Sequence, residues 1–169
     1  MLARSVAVVA LAAVLATPAG AAKRATSVYE SPLLWATVNI CDTPVHPDGV
    51  GIRGAMPGSG VAGESMHMRF QLQYFDQKDK AWHNLSKAAD SGFIPVGAAK
   101  YKQRQAGRTF TVPPPSTGAF ILRGAVTFEW RDADGEVVRR ARKRTESGHG
   151  STKGADPAGF SAAKCEVSA

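Results

Sequence analysis

The sequence predicts an all-β protein, an antiparallel immunoglobulin-like or fibronectin-III-like sandwich of about seven or eight strands. Three observations predict this class. Apolar and polar residues alternate with period two in several segments. Gly, Pro and Asp residues typical of turns separate these segments, and almost no segment has the 3.6-residue period of an amphipathic helix. A closed barrel of the same strands stays open as an alternative, because a sequence does not distinguish closure from stacking.

The N-terminus predicts a cleavable export signal. Met1–Arg4 carries one positive charge, Ser5–Ala16 is apolar, and Ala19–Ala21 is a small-x-small cleavage site. The apolar run is too short to cross the ~30 Å of bilayer hydrocarbon, so we expect cleavage after Ala21 and a secreted chain without a transmembrane anchor. Residues 22–31 are then expected to form a flexible N-terminal segment, and residues 32–169 a single sandwich domain.

The first half of the domain contains two clear strands. The first is "LLWATVNICD", which is rich in β-branched and aromatic residues and lies between Pro32 and Pro44. A short Gly-containing segment, "VGIRGAM", and a loop, "PGSGVAGES", come next. The clearest strand of the chain is "MHMRFQLQYF". One side of it carries Met66, Met68, Phe70, Leu72 and Tyr74, and the other carries His67, Arg69, Gln71 and Gln73.

The second half continues with strands separated by turns. After the charged turn "DQKDK" comes a short strand, "AWHNL", and a break at "AADSG". The next strand is "AAKYKQRQAGRTFTV", which ends at "PPPSTG" because proline cannot donate to a central ladder. The following strand is "AFILRGAVTFEWR", and "DADG" is a hairpin turn that leads into the return strand "VVRRARKRT". A Gly- and Ser-rich loop then precedes the short final strand "KCEV".

The two cysteines, Cys41 and Cys165, predict one structural disulfide, because an isolated pair in an exported chain is most often oxidised. It would tie the first strand to the last and close a loop of about 124 residues. Chain-entropy estimates for such a loop reach roughly 4–5 kcal/mol as an upper value. Two free thiols or two metal ligands are the alternative. No C-x-x-C motif is present, which argues against redox catalysis.

The remaining motifs predict no catalytic residue, no metal site and no cofactor. Neither the G-x-S-x-G nor the H-E-x-x-H pattern occurs. The four histidines, His46, His67, His83 and His149, lie far apart in sequence, whereas zinc ligands usually include a closely spaced pair. The class that stays open as an alternative is a secreted hydrolase whose active site is assembled from loops.

The most distinctive segment is the basic run Arg139–Arg144, which holds five Arg and Lys residues in six positions. A hairpin turn at Asp134-Gly135 would place Phe128 opposite Ala141 and Trp130 opposite Arg139. It would also place Glu129 opposite Arg140, a favourable cross-strand charge pair. Alternation then predicts an outward basic face, and this face is a possible anion-binding surface. Its members are Arg123, Arg131, Arg140, Arg142 and Arg144.

Two interpretations of this basic face stay open. The charges could protect an edge strand from edge-to-edge aggregation, a role that inward-pointing Arg139 and Lys143 would share. They could instead dock an anionic cell-envelope polymer, a phospholipid surface or an acidic protein, in keeping with the formal charge of +7. Nucleic acid is not the expected partner, since export removes the chain from it and neither a recognition helix nor an aromatic platform is visible.

The segments "WATVNICD", "RFQLQYFDQKDKAW", "LRGAVTFEWRDADGEVVRRARKRT" and "GADPAGFSAAKC" resemble those of uncharacterised small exported proteins of Gram-positive actinobacteria. The resemblance covers most of the chain after the signal. It implies an immunoglobulin-like sandwich, and it brings neither an activity nor a catalytic residue. Taken together, the sequence predicts an exported, non-catalytic binding or interaction module of the cell envelope or the extracellular space.

Overall fold

The computed structural model describes residues 27–150 and 152–169. The expected export signal, residues 1–21, lies outside the described residues, as does the first half of the N-terminal segment. The described chain is all-β, and its nine strands exceed the seven or eight predicted by one or two. Nowhere in the described chain is there a helix long and apolar enough to cross a membrane. The strands are β1 Trp35–Thr43, β2 His46–Pro57, β3 Ser65–Asp76, β4 Ala81–Asn84, β5 Asp90–Ala98, β6 Gln103–Thr111, β7 Ala119–Arg131, β8 Val137–Arg144 and β9 Cys165–Ser168.

The strands form two antiparallel sheets. The three-stranded sheet has the order β1-β2-β6, with β2 in the centre. The six-stranded sheet has the order β4-β3-β7-β8, with β5 also paired to β3 and β9 also paired to β7. The long β3–β7 pair runs from Ser65 opposite Arg131 to Tyr74 opposite Leu122 and forms the middle of this sheet. The edge strand β8 is thereby held along the second half of β7.

The core lies between the two sheets and confirms the predicted alternation in β3. Met66, Met68, Phe70 and Leu72 are fully buried, and each such side chain contributes about 1.5–3 kcal/mol through removal of apolar surface from water. Trp130 of β7 is also fully buried. Its indole Nε1–H donates a hydrogen bond of 3.0 Å to the carbonyl oxygen of Pro57 in the opposite sheet, so its one polar group is satisfied.

The β7–β8 hairpin has the predicted register. Phe128 lies opposite Ala141, Glu129 opposite Arg140 and Trp130 opposite Arg139. The turn depends on Asp132, whose Oδ1 accepts hydrogen bonds from the backbone N–H groups of Asp134 and Glu136. It also depends on Gly135, which has a φ of 85° that other residues rarely adopt.

The predicted disulfide is present and joins the sheets. Cys41 of β1 and Cys165 of β9 are bonded at 2.07 Å, and no described cysteine is free. The loop between β8 and β9 also packs against β1. Val38 N donates to Ala162 O at 2.9 Å, and Asp156 N donates to Asn39 O at 2.9 Å. These contacts satisfy part of the outer edge of β1.

Three segments differ from the sequence expectation. The segment "VGIRGAM" is not a minor piece but the middle of the twelve-residue strand β2. Its glycines mark close approaches rather than weak structure: a Cβ on Gly51 would lie 2.8 Å from Asn39 Oδ1, and one on Gly54 would lie 3.3 Å from Val126 Cγ1. The break expected at "AADSG" is short, because β5 already begins at Asp90. The strand expected over "AAKYKQRQAGRTFTV" begins only at Gln103, because residues 99–102 form the turn between β5 and β6.

Candidate anion-binding surface

The five arginines predicted as a basic face lie on the outer face of the six-stranded sheet. Arg123 and Arg131 belong to β7, and the other three belong to β8. Arg142 lies opposite Thr127 and Arg144 opposite Ala125. In β7, the residues that alternate with the parity of Arg123 and Arg131, such as Val126 and Phe128, are fully buried in the core. The shared parity of these arginines therefore directs them away from the core.

Two of the five arginines share Glu129 as their one counter-charge. The Glu129 side chain is fully buried beneath them, with an exposed fraction of 0%. Arg131 donates to Oε2 at 2.6 and 3.0 Å. Arg140 Nε donates to Oε1 at 2.8 Å, and its Nη2 forms an ion pair with the same oxygen at 2.6 Å. Burial on its own would raise the pKa of Glu129, but the hydrogen bonds and charges of the two arginines outweigh it and hold the pKa below its usual value.

Arg123, Arg142 and Arg144 remain as a group, called here the basic cluster. Among the residues that the structure describes, none of the three forms a salt bridge with a carboxylate. Burial, together with the positive charges of Arg144 and Arg142, lowers the pKa of Arg123 to about 10. The cluster thus combines partial desolvation with repulsion between like charges, two conditions that a bound anion would relieve.

Arg123 is held in place by residues of two other strands, β3 and β4. Its Nε–H donates to Gln73 Oε1 at 2.9 Å, and Gln73 in turn donates to Asn84 at 3.1 Å. Its guanidinium carbon lies 4.1 Å from the centre of the Trp82 ring, and Lys164 Nζ lies 5.8 Å from the same ring. Such contacts over an aromatic face are worth about 0.5–2 kcal/mol. Sequence reasoning did not single out Gln73, Trp82 or Lys164.

A shallow groove of about 400 Å³ adjoins the basic cluster. Its lining contains three cationic side chains and one acid, Glu146, which forms no salt bridge within the described chain. The groove therefore carries an excess of positive charge along β8. Its lining residues are Gln73, Arg142, Lys143, Arg144 and Glu146.

The inward arginine of β8 has a separate role. Arg139 Nη1 donates to both carboxylate oxygens of Glu64, at 2.7 and 2.9 Å, and Glu64 is nearly buried. Ser59 Oγ donates to the same carboxylate at 2.5 Å. This network ties the edge strand to the loop before β3. Arg139 thus closes the edge of the sandwich and does not contribute to the outer basic face.

Two of the four histidines approach an acid. His46 Nδ1 lies 3.0 Å from Asp156 Oδ2, an oxygen that also accepts a hydrogen bond from Thr43. His83 Nε2 lies 2.7 Å from Asp79 Oδ2. These contacts hold the pKa of Asp156 and of Asp79 below the usual value. Neither pair lines the groove beside the basic cluster.

The β3–β4 turn brings together three potential metal ligands. One atom each from Asp76, Asp79 and His83 lies within 4.8 Å of the other two. The other carboxylate oxygens close the turn, since Asp76 accepts from Lys78 N at 2.8 Å and Asp79 accepts from Ala81 N at 2.9 Å. Sequence reasoning, which compared the histidines only with one another, did not detect this group.

Comparisons with other proteins identify no relative: no family model, no curated protein and no solved structure matches the chain. The resemblance to small exported actinobacterial proteins therefore stays a prediction. The strongest local feature of the surface is the charge imbalance of the basic cluster.

Proposed function

We propose that this protein is an exported, non-catalytic binding module that docks an anionic polymer through the basic cluster Arg123, Arg142 and Arg144. One observation carries the proposal. Burial and then the charges of Arg144 and Arg142 lower the pKa of Arg123, and none of the three guanidinium groups has a carboxylate partner within the described chain. Charges placed together without counter-charges destabilise the free protein, and an anion that binds there removes the repulsion.

The shape of the surface favours a polymer over a small molecule. Arg142 and Arg144 are both exposed and lie two residues apart on one strand, so their α-carbons are separated by about 6.6–6.8 Å along β8. A linear chain with negative groups at regular intervals can follow this row. The guanidinium fork also binds phosphate and carboxylate oxygens in a bidentate manner.

The disulfide supports the location that this proposal requires. A bond between Cys41 and Cys165 persists in oxidising surroundings, outside the cytoplasm. Two antiparallel sheets support an immunoglobulin-like assignment in the loose architectural sense, although the bond ties the first strand to the last and so departs from the antibody pattern. In such a compartment, the anionic polymers of the cell envelope are the partners that we propose.

The proposal is tested with the double variant Arg142→Gln/Arg144→Gln. The matched control is Lys102→Gln/Arg108→Gln, which removes two exposed charges in or beside β6 of the other sheet. The probes are long-chain polyphosphate and purified cell envelope, measured over a salt series. We expect the first variant to lose about 10-fold in affinity, equivalent to two contacts of about 0.7 kcal/mol each, and the control to lose less than about 2-fold.

The melting temperature of the first variant should equal or exceed that of the parent, because the repulsion on Arg123 is removed. Two results would contradict the proposal: a parent protein that binds neither probe at low salt, or equal losses in the two variants. Tighter binding to a folded acidic protein than to polyphosphate would instead assign the surface to protein recognition.

A further inference from the structure

Exposed apolar side chains are concentrated at one end of the sandwich. In the described chain, six large hydrophobic residues have exposed fractions of 40–74%. Val61 lies in the loop between β2 and β3, Tyr101 in the turn between β5 and β6, and Val137 and Val138 directly after the turn between β7 and β8. The three connections share one end, because the start of β3 pairs with the end of β5 and with the end of β7. Four of six exposed apolar residues at one end indicate an interaction surface.

The charges at this end are divided between its two sides. β5 lies on the side of β3 away from β7, and β8 lies beyond β7, so the β5–β6 and β7–β8 turns flank the β2–β3 loop. The β5–β6 turn carries Lys100 and Lys102, and the β7–β8 turn carries Asp132, Asp134 and Glu136. None of these five charges has a salt-bridge partner in the part of the chain that the structure describes. The end therefore has a basic side, an apolar middle and an acidic side.

The loop in the middle is tied to both sides. Gly58 N donates to Lys102 O at 3.1 Å, which joins the β2–β3 loop to the β5–β6 turn. The approach requires glycine, because a Cβ on Gly58 would overlap the carbonyl oxygen of Tyr101. The pair between Glu64 and Arg139 joins the same loop to β8. The surface is thus formed before a partner arrives, and binding has less conformational entropy to overcome.

We propose that this end binds a second copy of the same chain about a two-fold axis. Such an axis brings the same patch of both copies together, so the patch has to be complementary to itself. An axis through the apolar middle, perpendicular to the line between the two turns, places each basic turn against the acidic turn of the other copy. Val61 and Tyr101 then pack between these charge pairs, and tyrosine is enriched in the cores of interfaces. An anionic membrane fits less well, because the acidic turn would face its phosphates.

The test is sedimentation equilibrium of the disulfide-bonded protein, from about 1 µM to about 1 mM. We expect a reversible monomer–dimer equilibrium with a Kd below about 500 µM. Val61→Ser/Tyr101→Ser should weaken the dimer by at least about 10-fold, because each substitution occurs twice in the interface. The matched control is Val45→Ser, which removes an apolar side chain that is 74% exposed in the β1–β2 turn at the opposite end. It should change the Kd by less than about 2-fold.

Charge reversal tests the predicted arrangement of the two turns. Lys100→Glu/Lys102→Glu makes both sides of the end acidic, and Asp134→Lys/Glu136→Lys makes both sides basic or mixed. Each variant alone should dimerise at least about 10-fold more weakly than the parent. An equal mixture of the two should form a heterodimer about as tight as the parent dimer, because each basic turn again meets an acidic turn.

Three results would overturn the proposal: a parent that is monomeric at every concentration, equal losses in Val61→Ser/Tyr101→Ser and Val45→Ser, or no heterodimer from two variants that keep the parent's melting temperature. A monomeric parent that binds phosphatidylglycerol vesicles through Val61 and Tyr101 would instead assign this end to a membrane surface. The basic cluster and its groove share no residue with this end. Polyphosphate affinity, measured well below the dimer Kd, is therefore independent of it, and failure of one proposal leaves the other intact.

Discussion

Glu129 determines which arginines of the outer face are free, and replacing it by glutamine should change both stability and polymer binding. The change removes one negative charge and preserves the shape of the side chain. Arg131 and Arg140 then lose their counter-charge, and the new amide N–H group meets a guanidinium that can only donate. Both arginines would become available to an external anion.

The expected loss of stability follows from the exposure of the two partners. Arg140 is 62% exposed, so its pair with Glu129 resembles a surface ion pair worth about 0.5 kcal/mol. Arg131 is 26% exposed and donates two hydrogen bonds to the buried carboxylate. We assign this contact a contribution of about 2 kcal/mol to stability. The sum is about 2–3 kcal/mol, which corresponds to a decrease of roughly 8–12 °C in Tm at about 4 °C per kcal/mol.

The effect should depend on pH in a defined direction. The pKa of Glu129 is lowered in the folded state. Its contribution to stability is therefore complete above the unfolded value of about 4.3 and is lost as the pH falls through the folded value. Urea unfolding at pH 7 should separate Glu129→Gln clearly from the parent, and the difference should shrink as the solution is acidified below about pH 4.

The matched control is Glu136→Gln, which removes the same charge at an exposed position of the β7–β8 turn. It should leave stability within about 0.5 kcal/mol of the parent. Glu129→Gln should also bind polyphosphate more tightly than Glu136→Gln does, because it frees Arg131 and Arg140. The reasoning is refuted if Glu129→Gln costs less than about 0.5 kcal/mol at pH 7, or if its cost is the same in acid as at neutrality.

Two further predictions concern the scaffold. Cys41→Ala/Cys165→Ala should lower the free energy of unfolding by about 2–5 kcal/mol in urea titrations. A reductant should lower the stability of the parent and leave that of the variant unchanged. A loss below about 1 kcal/mol would contradict the role of the disulfide as a structural tie. Gly124→Ala should cost about 1–3 kcal/mol by overpacking, because its Cβ would lie 2.6 Å from Thr145 Cγ2. Gly150→Ala is the control, because its new Cβ would have no other atom within 4 Å. Equal melting temperatures for the two alanine variants would show that the overpacking argument is wrong.

Strand alternation and turn chemistry were sufficient to predict much of the fold. The register that places Glu129 opposite Arg140 follows from an Asp-Gly turn between two alternating segments, both of which are local in sequence. The same reasoning did not give the length of β2, of which only the short Gly-containing segment "VGIRGAM" was recognised. Its glycines mark the close approach of Asn39 to Gly51 and of Val126 to Gly54, contacts that depend on distant parts of the chain.

The candidate site was only partly visible in the sequence. Parity grouped the five arginines correctly on one face, because the period of a strand is a local property. Parity did not reveal that Glu129 is fully buried and binds two of them. Nor did it reveal the support of Arg123 by Gln73 and Trp82, since these residues reach it from other strands. Side-chain partners of this kind depend on the order of strands in the sheet.

The salt dependence of polyphosphate binding tests the central claim most directly. Each arginine that contacts the polymer releases about 0.7–0.9 counterions, so the slope of log K against log salt counts the contacts. For Arg142→Gln/Arg144→Gln the account predicts a slope smaller in magnitude by about 1.4–1.8 than that of the parent. An unchanged slope would contradict it, because the two arginines would then not touch the polymer.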